Sequence, residues 1–366
     1  MKRYDIGILT FWNVPNYGTY AQAYALQKVL QSLNKTKEVK QIAHLDKHHY
    51  NFYYNIKQYY RENKIWKKAF WKSFLMKETK TEQKEKNFLN AYDEIPHTDE
   101  ISMENYSDFT FDRIFIGSDI VWDFSLEPFN CDRMLFGENL NGRVNSYAAS
   151  FGTVKNGDKL PDYVIENIKK MQYISVRDDN SARIVETITG TKPDIVLDPV
   201  WLWDFNGDCN IELPREENYI LVYGQNFTEE FLMNLQKYAK RAGLSIIALD
   251  CNNDRYNWCE RLVKQEELSP LQWIGYFLKA SAVATSTFHG LTFGLLFNKK
   301  IAFCKTDFIM DKVDVFLMEL GLYDLFQVQS DVKEMLDYDW NYKKINEIIE
   351  VKRRKSTNFL EKACGI

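Results

Sequence analysis

A chain of 366 residues with 45% hydrophobic and 27% charged side chains has the balance of a globular protein, with enough length for one large domain or two ordinary ones. Its net charge of −4 offers no basic field for nucleic acid. The cysteines Cys131, Cys209, Cys251, Cys259, Cys304 and Cys364 form no CxxC and meet no histidine at zinc spacing, so they read as reduced thiols of a cytoplasmic protein that requires no metal.

The opening MKRYDIGILTFWNVPNYG places basic residues ahead of apolar ones, as a signal peptide does. Asp5 interrupts it, and Asn13 and Pro15 close it before an adequate apolar core accumulates. No run reaches the roughly 18–20 apolar residues of a spanning helix. YDIGILTFW (4–12) is instead nearly continuous and apolar, the pattern of a strand buried on both faces. After the turn NVPNYGT, residues 19–33 put Leu26, Leu30 and Leu33 on one helical face with Ala23. Residues 47–90 break this rhythm: basic residues dominate from Lys47 to Lys77, and Trp66, Phe70 and Phe74 make a helical stripe. They are expected to form an inserted helical segment.

Strand-like runs resume at 113–118, 143–150, 173–176 and 194–198, and the turn-rich stretch 198–218 reads as an interdomain linker. A second series follows: strands at 219–224, 244–249, 282–286 and 301–304, with helices over 227–242, near 270–279 and from about 289. Helices over 309–322 and 333–363 close the chain. The expected architecture is α/β, with two Rossmann-like doubly wound parallel-sheet domains. The first spans 1–205 with the insert at 47–90, the second spans 206–335, and C-terminal helices occupy 336–366.

In open parallel sheets ligands gather beyond the carboxyl ends of strands. Four such ends carry unusual residues. At 13–19, Gly18 permits close backbone approach and Thr19 can cap a helix whose free amides favour an anion; a plain βα turn explains the same residues. In IGSDIVWDF (116–124), Asp119 and Trp122 suit a sugar's hydroxyls and ring face, or serve as an N-cap and a core residue. Arg177 follows the strand in ISVRDDNS, where its fork of donors suits a carboxylate or phosphate, or an ion pair with Asp178 or Asp179. In AVATSTFHG (282–290), Ser286, Thr287, His289 and Gly290 bring hydroxyls, an imidazole and helix-start amides together. A lone histidine is more often structural, but a strand end beside Gly290 favours function. His44, His48, His49 and His97 lack such context and read as surface residues.

The motifs NYGTYAQAYALQ, IGSDIVWDF, SYAASFG, ISVRDDNS, VLDPVWL and TSTFHGLTFGLLFNKKIAF occur in an order that resembles the polysaccharide pyruvyl transferase family, from residue 6 to about 322. The resemblance implies a GT-B-like pair of domains facing a cleft. It implies transfer of pyruvate from phosphoenolpyruvate to a sugar as a cyclic ketal, in bacterial capsule or exopolysaccharide biosynthesis, with no cofactor beyond the donor. His289 then becomes the acid/base, and Arg177, Ser286, Thr287, Gly290 and Lys312 or Lys305 bind the donor. The acceptor is expected near Asn16, Tyr17, Gly18, Asp119 and Trp122. Lys312 stands where the family more usually has arginine, so only the charge is retained there. Ile120 and Asp123 stand where glutamine and asparagine are frequent. The acceptor sugar is often carried on a lipid, and the basic aromatic stretch 47–77 could meet it at the inner face of the membrane or bury its own aromatics. The rival readings are a GT-B-like glycosyltransferase using a nucleotide sugar and a non-catalytic sugar-binding subunit.

Overall fold

The computed structural model describes the chain apart from residues 56–57, 60–78, 128–131, 226, 250–255, 257 and 328–330, and apart from the side chains of 79–85, 266, 307–308 and 311–312. The chain divides into two compact units. One comprises Met1–Thr79, Phe88–Trp203 and Lys352–Ile366; the other comprises Lys80–Asn87 and Asp204–Val351.

In the first unit the amino-terminal apolar run forms β1 (Lys2–Leu9), and its last four residues are buried. It pairs with β2 (Val39–Ala43) and β4 (Phe109–Ile116), while β3 (His97–Glu100) and β5 (Arg143–Ser146) flank these in the order β3-β2-β1-β4-β5, every pair parallel. Ile114 and Ile116 face one core and Phe115 the other, which is why the strand shows no polar face. Leu9 lies opposite Ile116, and Ile116 opposite Ser146, so the three strands end level and release their next residues at one edge. Helix α1 (Tyr17–Leu33) returns the chain from that edge. The stretch read as an insert contributes α2 (Lys47–Tyr54) to this unit and ends in α3 (Thr79–Asp93), of which Lys80–Asn87 group with the second unit. The stripe of Trp66, Phe70 and Phe74, with the lysines beside it, lies outside the described residues.

One core of this unit includes Leu9, Trp122, Phe136 and Phe151 with apolar residues of α4 (Asp162–Lys170) and α5 (Asp179–Thr189). The other joins Ile6, Ile8, Leu26 and Leu30 to Phe359, Leu360, Ala363 and Cys364 near the carboxyl terminus. Two short strands, β6 (Ser175–Val176) and β7 (Asp194–Ile195), pair in parallel beside the main sheet.

The second unit repeats the topology. Strands β8 (Tyr219–Tyr223), β9 (Ser245–Leu249), β10 (Arg261–Val263), β11 (Ala282–Thr285) and β12 (Lys300–Phe303) take the order β10-β9-β8-β11-β12, all parallel. Helix α6 (Glu229–Ala242) starts at a Thr228 cap and stops at Gly243, whose φ of +66° is the left-handed conformation that ends helices. Helix α7 (Pro270–Lys279) opens with a capping box of Ser269 and Gln272 and has proline in its first turn. Helices α8 (Phe288–Leu296), α9 (Asp307–Leu320), α10 (Tyr323–Gln327) and α11 (Val332–Asp337) follow. The last helix, α12 (Tyr342–Cys364), belongs to the second unit as far as Val351 and to the first from Lys352 onward.

The α/β class and the two Rossmann-like sheets match the sequence reading. The boundary between units at Trp203 and Asp204 falls inside the stretch read as a linker. Strands β2, β3 and β10 were not among the expected runs, and 143–150 and 194–198 are strand only over their first residues. Among the described residues no helix is long and apolar enough to cross a membrane.

Candidate active site

Each sheet reverses its strand order at one point, between β1 and β4 in the first unit and between β8 and β11 in the second. Adjacent loops part there and leave room for a ligand beyond the strand ends.

In the first unit, Gly117 and Ser118 follow β4. Gly117 has φ +111°, and a β-carbon there would stand 2.4 Å from the Tyr147 carbonyl oxygen, so only glycine fits. Asp119 comes next at φ +77°, a conformation that aspartate tolerates better than most residues. Parallel bridges pair Asp119 with Ala149 and Ala149 with Val176, which brings Arg177 alongside. Its guanidinium donates from Nη2 to Asp119 Oδ1 (3.3 Å) and from Nη1 to Asp198 Oδ2 (3.2 Å). Thr19 Oγ1 donates to Asp119 Oδ2 (3.1 Å), and the Ile120 amide donates to Asp119 Oδ1 (2.8 Å). Asp198 accepts from Ser118 Oγ (3.1 Å) and from the Val200 amide (3.2 Å). The Arg177 and Asp198 side chains are 9% and 2% exposed, and Asp119 is 14% exposed. Burial alone would weaken the guanidinium's hold on its proton. The charges of Asp119, Asp198 and Asp178 outweigh it, so the group is held above its ordinary value.

In the second unit, β11 is fully buried and sits between β8 and β12. Thr285 Oγ1 donates to the Tyr223 carbonyl (2.7 Å) and accepts from the Thr287 amide (3.2 Å). Thr287 Oγ1 caps α8 by accepting from the Gly290 amide (3.0 Å), and lies 3.1 Å from Thr285 Oγ1. Because Thr285 gives its one proton to Tyr223, the proton in that contact comes from Thr287. Both hydroxyls therefore hold the turn. His289 is the second residue of α8, half-buried, with its ring edge-on to Phe288 at 5.1 Å. Ser286 is buried beside Gly224, the residue that follows β8. A helix start at a sheet's reversal point favours negative charge, and a histidine there can hand over a proton.

The model of the polysaccharide pyruvyl transferase family matches residues 16–307. The chain belongs to that family. It is accordingly a transferase of polysaccharide biosynthesis. No curated protein matches it. Among solved structures it is similar to the UDP-GlcNAc 2-epimerase from Neisseria meningitidis bound to UDP-GlcNAc, at 10% identity over 99% of each chain and a TM-score of 0.53. It is also similar to S. aureus MnaA with UDP (13% identity, 99% of this chain and 96% of that one, TM-score 0.48) and to E. coli heptosyltransferase WaaC with ADP (10%, 85% and 90%, TM-score 0.42). The epimerase likeness shows a shared GT-B-like fold.

For this pyruvyl transferase family member, several sequence expectations need correction. Trp122 is fully buried between Phe136 and Phe151 with its indole N–H on the Leu135 carbonyl, so it is core and presents no face to a sugar. Tyr17 is likewise buried, its ring 4.9 Å from Phe88. The cap of α1 is Asn16, which accepts from the Thr19 amide; Gly18 lies within the first turn, and Thr19 turns to Asp119 instead. Arg177 pairs with Asp119 and Asp198, while Asp178 caps α5 and Asp179 begins it. Asp198, read as linker, is the residue that sequence reasoning missed; its signal was an acid closing the apolar run IVLD ahead of Pro199. Lys305 is exposed and bonds Gln327. Lys312 belongs to α9, and its side chain lies outside the described residues.

Two of the histidines assigned to the surface are buried. His44 Nδ1 lies 3.0 Å from the Ile101 carbonyl, and Nε2 lies 3.0 Å from Asp132. The Ile101 carbonyl can only accept, so Nδ1 donates to it and Nε2 faces the Asp132 carboxyl group. Burial opposes a charge on the ring, but Asp132 and the carbonyl raise its pKa above the ordinary value. His49 has the opposite fate: burial lowers it to about 4.

Proposed function

We propose that this family member transfers pyruvate from phosphoenolpyruvate to a sugar, forming a cyclic ketal and releasing phosphate. The observation that carries the reading is His289 in the first turn of α8, at the order reversal of the second sheet, in a chain whose family match spans the site. The donor is a polyanion at neutral pH. We assign its binding to the α8 start with Ser286 and Gly290, and to the charge of Lys312 or Lys305.

In the proposed reaction His289 gives a proton to the methylene carbon of the enol, which becomes the methyl group. A sugar hydroxyl adds to the adjacent carbon, and its proton passes to His289. The carbon–oxygen bond to phosphate breaks, a second hydroxyl closes the ring, and its proton leaves with the phosphate. One group must donate and then accept near neutrality, which suits an imidazole and is worth on the order of 100- to 10,000-fold in rate. On the acceptor side we place Asn16, Gly18 and Asp119 at the strand ends of the first unit. We assign the reaction to capsule or exopolysaccharide assembly in the bacterial cytoplasm.

The test is phosphate release from phosphoenolpyruvate in the presence of a panel of nucleotide-linked and lipid-linked sugars. Acceptor-dependent release is expected from the native chain, with a loss of at least 100-fold in His289→Ala while phosphoenolpyruvate still binds. Binding of a nucleotide sugar in place of phosphoenolpyruvate, with glycosyl transfer, would overturn the assignment.

A further inference from the structure

Resting on the reading above, we propose that α2, the first helix of the inserted stretch, walls the acceptor site, and that Tyr53 on it determines acceptor specificity by donating its hydroxyl proton to a sugar hydroxyl beside Asp119. Helix α2 is fastened to the loop that leaves β1. Asp46 Oδ1 caps it by accepting from the amides of His48 (2.8 Å) and His49 (3.4 Å). The buried His49 ring meets Phe11 edge-on at 4.9 Å, and the Tyr54 hydroxyl donates to the Asn13 carbonyl (2.7 Å). Phe11 and Asn13 lie between the end of β1 and the Asn16 cap of α1, so the helix is held at the edge where β1, β4 and β5 end.

The placement of Tyr53 follows from that mounting. It stands one turn after His49, with ring centroids 5.2 Å apart, and packs on the core that also receives Phe11, Trp122 and Ile120, the neighbour of Asp119. Tyr53 is half-buried, and burial together with the charge of Asp119 pushes its phenol up to about 12, so it is a neutral donor near pH 7. Among the described residues its hydroxyl makes no hydrogen bond, whereas that of Tyr54 beside it serves the fold. Asp119 can only accept, and Tyr53 has a proton to give. A sugar hydroxyl does both, so the two side chains together complement one such group and leave a hydrogen in its place unmatched.

The experiment compares the native chain with Tyr53→Phe, which keeps the ring and its packing, and with Tyr50→Phe, which changes an exposed phenol on the same helix. Phosphoenolpyruvate affinity is measured by calorimetry, and phosphate release is titrated with UDP-hexoses and their monodeoxy analogues. Tyr53→Phe should leave phosphoenolpyruvate affinity within about twofold and lower kcat/KM for the preferred hexose about tenfold, chiefly through KM, as loss of one neutral hydrogen bond does. One monodeoxy analogue should be used equally well by both chains, since it lacks the hydroxyl that Tyr53 reads. Tyr50→Phe should match the native chain throughout. An unchanged preference for the hexose over every monodeoxy analogue in Tyr53→Phe would overturn the inference and leave the proposed function standing. A tenfold loss of phosphoenolpyruvate affinity with that preference intact would move Tyr53 to the donor and overturn it too. If the native chain does not bind phosphoenolpyruvate, the proposed function itself fails, and this inference with it.

Discussion

At Gly290 a β-carbon would stand 2.0 Å from Thr285 Oγ1 and 2.7 Å from Thr287 Oγ1, the two hydroxyls that hold the turn into α8. At Gly224 it would stand 2.2 Å from Ser286 Oγ, with φ at +143°. The strand end that bears His289 is thus shaped by absent side chains as much as by present ones. Gly290→Ala should lower stability by about 1–3 kcal/mol, as overpacking of a tight site does, and this is read as a fall in the urea midpoint. The pairing of histidine with glycine was visible in the sequence; the reason for the glycine was not, because it depends on two threonines meeting it across a turn. Arg177 shows the same limit. Its place after a strand was legible, but its partners, 58 and 21 residues away in the chain, were not.

Elements were legible in proportion to their burial. The central strands β8 and β11 and the buried half of β1 carry the apolar runs, and α7 falls where a helix near 270–279 was expected. The edge strand β3 reads HTDE, with one buried residue in four, and no hydrophobic pattern marks it. The turn after β2 and the first turn of α2 hide two histidines of opposite behaviour, His44 and His49. His44 has a folded pKa above its ordinary value, so its contribution is complete below pH 6.5 and is lost as pH rises through the folded value. His49, with a folded value of about 4, contributes above pH 6.5 and loses that contribution as pH falls toward 4. The His49 change corresponds to roughly 3 kcal/mol. His49→Leu should therefore flatten the acid side of the urea-midpoint profile between pH 6.5 and 4 relative to the native chain. An unchanged slope would show that His49 is not the group responsible.

At the scale of the molecule, the two sheets repeat one strand order; the alternation of β and α elements implied two parallel sheets, but not that order. The path of the last helix was not implied, since its helical pattern runs on without a break between Tyr342 and Cys364. Leu360 is fully buried in the same core as Ile6, Ile8 and Leu30 of the first unit. Leu360→Ala should cost about 2–5 kcal/mol, with the loss read by hydrogen exchange at β1 and β4 and little change at β8 and β11.

That helix also sets the order of events during synthesis. The second unit is complete once Val351 has left the ribosome, whereas the first, though started earlier, lacks one wall until the segment from Lys352 to Cys364 emerges. A nascent chain halted after Val351 should hold a finished second unit and a first unit with Ile6 and Ile8 uncovered, a ready client for chaperones that bind apolar strands.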